Sequence, residues 1–165
     1  LGWDDLDWEA GTVQIRRQVQ AINTRLVISE YTKTDAGRRT LPIAPALLER
    51  LREHWREQQE ERALVGAGWN ERKLVFVTEN GTPVGPSNLA RHFRLLLVCA
   101  GQSPLRLHDL RHTCATFLGE RTSDRVISAI LGHTPATVTA RYAKVTLGQM
   151  REALEGLYQM LTEED

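Results

Sequence analysis

At 165 residues the chain has the length of one domain with a real hydrophobic core, and two domains would be a squeeze. Its hydrophobic and charged fractions, 41% and 25%, exclude the disordered and fibrous classes. Lys and Arg together number 21, as do Asp and Glu, so the formal net charge is zero, which taken alone argues against a generic polyanion binder. The distribution is less even. Between Arg16 and Arg39 the bases Arg16, Arg17, Arg25, Lys33, Arg38 and Arg39 outweigh Glu30 and Asp35, whereas acid gathers at Glu57, Glu60 and Glu61 and at Glu163, Glu164 and Asp165. No apolar run reaches the roughly 20 residues needed to cross a bilayer. With no charged-then-apolar leader either, the expectation is a cytoplasmic protein without membrane contact. Cys99 and Cys114, in apolar helical contexts, are expected to be free, buried thiols in a reducing compartment.

In chain order, residues 1 to 12 read as a helix end and a turn. Thr12–Val19 and Arg25–Thr32 are rich in β-branched residues with partial alternation, which predicts strands. Asp35-Ala36-Gly37 is a turn signal, and Arg39–Ile43 is the expected returning strand. Pro45 suits the first turn of a helix whose apolar stripe is Leu47, Leu48, Leu51 and Trp55, ended by Gly66 and Gly68. Leu74–Val77 predicts a short buried strand closed by the turn Glu79–Pro83. Ser87 is the expected cap of a helix carrying Leu89, Phe93, Leu96 and Leu97, which stops near Gly101. Further helices are expected from His108 or Asp109 to Gly119, from Asp124 to Leu131, from Pro135 through Tyr142, and from Leu147 to Leu161. The sum is an α+β fold, mostly α-helical, with a small antiparallel β-sheet near the N-terminus.

Four stretches follow one another: Thr32-Lys33-Thr34, then His108-Asp109-Leu110-Arg111, then Leu131-Gly132-His133, then Tyr142. The spacing from His108 to Arg111 places both on one helical face. A guanidinium can donate two parallel hydrogen bonds to a phosphate and stays charged throughout a reaction. A tyrosine hydroxyl, with a pKa near 10, needs a base or cationic neighbours before it can attack at neutral pH. An imidazole with an ordinary pKa near 6.5 suits proton exchange with such a phenol. Taken singly, each has a bland alternative: a surface arginine, a structural histidine, a core tyrosine, a solubility lysine. No Cys/His cluster at zinc spacing and no phosphate-cradling glycine loop is present, so neither a metal nor a nucleotide cofactor is expected.

Together these stretches resemble the tyrosine recombinase (phage integrase) family, most specifically over residues 105 to 145. The segment Lys33-Thr34…Arg38-Arg39-Thr40-Leu41-Pro42 is similar to the family's lysine-bearing segment, and Trp3-Asp4-Asp5-Leu6-Asp7 to its entry motif. The resemblance implies site-specific recombination through a 3′-phosphotyrosine intermediate, without ATP or metal. Tyr142 would be the nucleophile and Arg111 the phosphate clamp. His108 would exchange the tyrosine proton, His133 would donate to a non-bridging oxygen, and Lys33 would protonate the departing 5′ oxygen. Arg38, Arg39, Arg141 and Lys144 are the expected DNA contacts. His112 reads as a supporting or packing residue, and His54 and His92 carry no signal. Implied partners are double-stranded DNA and other protomers, in a synaptic tetramer. The family also uses a second arginine, expected upstream of Leu1, and an amino-terminal DNA-clamping domain. The expectation is therefore a catalytic domain over 1–165, truncated at its N-terminus and inactive or very weak alone, from a bacterial mobile element. Three rival readings remain. Asp124–Lys144 could form a helix-turn-helix regulator with Thr137 or Arg141 facing bases, the chain could be a decayed recombinase remnant, or it could be a type IB topoisomerase.

Overall fold

The computed structural model describes residues 1–23, 25–29, 37–132 and 145–162. Lys33, His133, Tyr142, Arg141, Lys144 and the helix expected from Pro135 lie outside these residues.

A 3-10 turn at Trp3–Asp5 opens the chain and is fixed by Asp5, whose carboxylate accepts the Gly2 amide at 2.7 Å. Strand β1 (Leu6–Asp7) comes next, and Asp7 then folds its own carboxylate over the turn, accepting from the Glu9 and Ala10 amides at 3.1 and 2.9 Å. Strand β2 (Thr12–Ile15) pairs antiparallel with β1, Leu6 facing Val13.

The chain then departs from the simple hairpin that its β-branched runs suggest. The run expected as one strand from Thr12 to Val19 breaks at Arg16 and Arg17, both of which turn their guanidinium groups onto Asp5. Beyond the break, β3 (Gln18–Ile22) and β4 (Arg25–Ser29) form a separate hairpin, five residue pairs deep. Asn23, next after the last paired residue of β3, lies in the left-handed region at φ +46°. Strand β5 (Arg39–Pro42) is a returning strand, but it pairs with β2 and not with β4, with Val13 facing Leu41 and Ile15 facing Arg39. One sheet therefore runs β1-β2-β5 and a second holds β3-β4.

Helix α1 (Pro45–Val65) begins with proline at its first position and ends at Gly66, in the left-handed half of the map at φ +60°. Leu48 is the buried member of its stripe, while Leu47 and Trp55 are 47% and 44% exposed. Gln58 is buried but satisfied: it accepts from the Trp3 indole at 2.7 Å and donates to the Val75 carbonyl at 3.1 Å. The segment Leu74–Val77 is held by two isolated bridges, Gly2 to Leu74 and Val77 to Pro83, in place of a regular strand. Leu74 and Val75 are buried, but Phe76 is exposed.

Helix α2 (Pro86–Cys99) starts one residue before Ser87, with Gly85 at the cap, because a proline at the first helical position has no amide to satisfy. Helix α3 (Asp109–Gly119) has His108 as its cap residue, and α4 (Asp124–Leu131) closes on Gly132 at φ +71°. The last helix, α5 (Leu147–Thr162), buries Met150 and Ala153. Cys99 is exposed and Cys114 half-buried, both free; the expectation of buried thiols fails for Cys99 because α2 buries none of its residues.

Among the described residues, two apolar clusters hold the fold together. Leu118, Val126, Ile127, Ile130, Leu131, Met150 and Ala153 join α3, α4 and α5, with Leu41 and Cys114 packed against them. Leu6, Ile43, Leu48 and Val75 form the other, covered by Trp3, Trp8, Val13 and Leu51. Leu41 and Ile43 lie two residues apart, so β5 and its exit are shared between the clusters. That shared segment carries the sheet to the helical site.

Candidate active site

The site is built where α3 crosses the carbonyl end of α4. His108 caps α3 and is exposed; Arg111, one turn on, is half-buried. The local fold has a plain cause. Asp109 in the first turn accepts the Arg106 amide at 2.9 Å and its guanidinium at 2.8 Å, which pins the chain entering the helix. These contacts, foremost the Arg106 guanidinium, hold the Asp109 carboxyl below the ordinary carboxylate range. The His108 ring meets that of His112 edge-on, with centroids 5.4 Å apart and planes at 80°. His112 therefore packs on the His108 imidazole.

Arg111 reaches across to α4, where its Nη2 donates to the Leu131 carbonyl. The next carbonyl back, of Ile130, accepts Arg39 Nε at 2.7 Å, and Arg39 Nη1 donates to the Gly37 carbonyl at 3.0 Å. A helix leaves its last carbonyls without intrahelical partners and carries partial negative charge there, so two cations are a fitting cap. Both guanidinium groups hang from adjacent residues of one helix end. Burial, reinforced by the Arg111 charge, pushes the Arg39 guanidinium below its usual value. Cys114, three residues after Arg111, has its thiol pushed up by burial, only partly offset by the same arginine. The Gly132 amide closes α4 by donating to the Ser128 carbonyl at 2.8 Å, and the left-handed turn there directs the chain towards position 133.

The structure thus brings together Arg111, Arg39 and the Leu131-Gly132 pair, with His108 one turn before Arg111 on the same helix. Arg38 is exposed; its neighbour Arg39 is turned inward onto α4. The sequence alone did not suggest this inward turn, although strand parity carried the signal. Arg39 and Leu41 share one face of β5, and Leu41 belongs to the helical cluster. Among the described residues no group of three or more His, Cys, Asp or Glu side chains is placed to hold a metal ion. Nor is any helix among them long and apolar enough to cross a membrane.

An arginine is thus held on the carbonyl that precedes Gly132, with a histidine one turn before it on α3. The chain belongs to the phage integrase family, whose model matches residues 1–148. It is 32% identical over 95% of its length to a XerC-like tyrosine recombinase of Caldanaerobacter subterraneus subsp. tengcongensis, and 36% identical over 68% to an integrase of Saccharopolyspora erythraea. It spans 44% and 26% of those two proteins, less than half of each. Among solved structures the fold matches the Tn1549 transposon integrase in complex with circular intermediate DNA over 95% of this chain and 53% of that one. The TM-score is 0.67 at 21% identity. It also matches XerA recombinase over 98% of this chain and 50% of that one, with a TM-score of 0.60 at 21% identity.

Proposed function

We propose that this chain is the catalytic module, over residues 1–165, of a site-specific DNA recombinase that cleaves and rejoins strands through a tyrosine. The observation that supports it most is the Arg111–Leu131 contact. It sets a permanent cation beside the turn that leads to His133, with His108 one helical turn away on the same helix.

In this reading the Tyr142 oxygen attacks a backbone phosphorus. The O–P bond to tyrosine forms as the bond from phosphorus to the 5′ oxygen breaks. His108 takes the phenol proton, and Lys33 gives a proton to the departing 5′ oxygen, leaving a 3′-phosphotyrosine and a free 5′ hydroxyl. Arg111, with His133, holds the non-bridging oxygens as charge builds on them. A pre-placed donor of this kind is worth on the order of 10²–10³ in rate. Arg111 uses Nη2 on the Leu131 carbonyl, and in this reading the other N–H groups of its planar fork donate to the oxyanion. A 5′ hydroxyl from a partner strand then reverses the step. The bond energy is stored in the phosphotyrosine, so no cofactor is needed. The partners in this reading are double-stranded DNA and further protomers in a synaptic tetramer, in the cytoplasm. DNA is also the partner named for the Tn1549 transposon integrase. Arg38, Arg141 and Lys144 would neutralise backbone phosphates.

The test is a covalent protein–DNA complex that survives detergent, formed by the full-length gene product on DNA from the borders of its own element. Wild-type protein is expected to give the band, and Tyr142→Phe to lose it while still binding DNA. A Tyr142→Phe protein that behaves like wild type in every DNA assay would instead mean a helix-turn-helix regulator.

A further inference from the structure

Arg39 is a charged side chain turned inward, and the reaction above gives it no task. Among the described residues its hydrogen bonds run in different directions, Nε to Ile130 on α4 and Nη1 to Gly37 just ahead of its own strand. The Gly37 carbonyl lies four residues after Lys33, and the Ile130 carbonyl one residue before the Leu131 carbonyl held by Arg111. One planar guanidinium therefore joins Gly37 to the helix end that also anchors Arg111.

We propose that Arg39 is a positioning residue for strand cleavage: its guanidinium latches Gly37 and β5 to the carbonyl end of α4, and so fixes the helix end on which Arg111 and the Leu131-Gly132 turn are held. The inference rests on the proposed function for its consequence, and on the two hydrogen bonds for its geometry. The arrangement has an energetic logic. Placing a second cation beside Arg111 is unfavourable where water is partly excluded. The α4 carbonyls offset part of that cost, and an anionic phosphate on Arg111 would offset more. Arg39 thus favours the same occupant that the reaction requires. Lysine cannot replace it, because one ammonium at the end of a flexible stem cannot span two fixed carbonyls as a planar fork does.

Three readouts on the full-length gene product test the latch: DNA affinity across a salt series, the single-turnover rate of covalent complex formation at saturating DNA, and amide hydrogen exchange at residues 130 to 132. For Arg39→Lys we expect affinity within about threefold of wild type and an unchanged salt dependence, since the charge is kept. We expect cleavage at saturating DNA to slow by about 10- to 100-fold, the scale on which misplacement of a catalytic group is felt. Exchange at the Gly132 amide, which closes the last turn of α4, should quicken several-fold, while exchange in α5 stays as it was. A charge-removing variant, Arg39→Gln, that binds DNA more weakly with a salt slope lower by about one, yet cleaves normally at saturation, would make Arg39 a phosphate contact and overturn the latch. So would unchanged exchange at 130 to 132. Should Arg39→Lys fail to fold, nuclear magnetic resonance of the wild-type protein still tests the latch. The Arg39 Nε–H must be protected from solvent, and rapid exchange there overturns the proposal. A wild-type protein that forms no covalent complex defeats the proposed function alone, because the exchange and Nε–H measurements still decide whether the latch exists.

Discussion

Asp5 is 2% exposed, and its carboxylate accepts from the Gly2 amide and from the guanidinium groups of Arg16 and Arg17. Burial alone would push the carboxyl up. The Gly2 amide and the two arginines outweigh it and hold the carboxyl below its ordinary value. A depressed folded-state pKa contributes stability that is complete above the unfolded value, near 3.9. As pH falls through the lower folded-state value the carboxyl protonates and that stability is lost. Asp5→Asn is therefore expected to destabilise by about 2–4 kcal/mol near neutral pH, since it removes the buried carboxylate that both guanidinium groups share. The gap from wild type should close in acid below pH 4. Denaturant titrations at pH 7 and pH 3 check this; an equal gap at both would contradict it. The same residue explains why the strand pattern misleads. Arg16 and Arg17 look like strand residues in sequence, but their charge has a buried destination that only the folded chain reveals.

Helix ends were legible because their chemistry is local. Pro45 starts α1, and Gly66 and Gly132 stop α1 and α4 in left-handed or near left-handed backbone, all as the residue types suggest. Strand partners were not legible, because the choice of β2 over β4 as the mate of β5 depends on contacts far apart in sequence. The same division runs through the site. The spacing from His108 to Arg111 is a helix property and could be read directly, whereas the inward turn of Arg39 needs α4 to be in place. Gly132 bears both a helix stop and the approach to His133. At φ +71° an alanine incurs the left-handed cost, about 1–2 kcal/mol. Gly132→Ala should lower the melting temperature by a few degrees and slow covalent complex formation more than it weakens DNA binding. Calorimetry and a single-turnover assay measure the two effects; a faster reaction would contradict the assigned role.

Across the whole molecule, the two apolar clusters meet at β5 and its exit, where Leu41 packs on one and Ile43 belongs to the other. That continuity predicts one cooperative unfolding transition. Leu118, fully buried at the centre of the helical cluster, offers the test. Leu118→Ala should cost about 2–5 kcal/mol and shift the whole transition, including the fluorescence of Trp3 and Trp8 in the other cluster. A transition that splits in two would show that the clusters unfold independently. In the proposed reaction such cooperative joining would matter, because Lys33 belongs in sequence to the sheet side of the molecule and Arg111 to the helical side, and that reaction places both at one phosphate.

The most direct measurement is mass spectrometry of the covalent complex, digested with nuclease and protease. The proposed reaction yields one modified peptide, with a nucleotide joined through its 3′ phosphate to the Tyr142 oxygen, and no such peptide from Tyr142→Phe. Attachment at any other residue, or linkage through a 5′ phosphate, would contradict it.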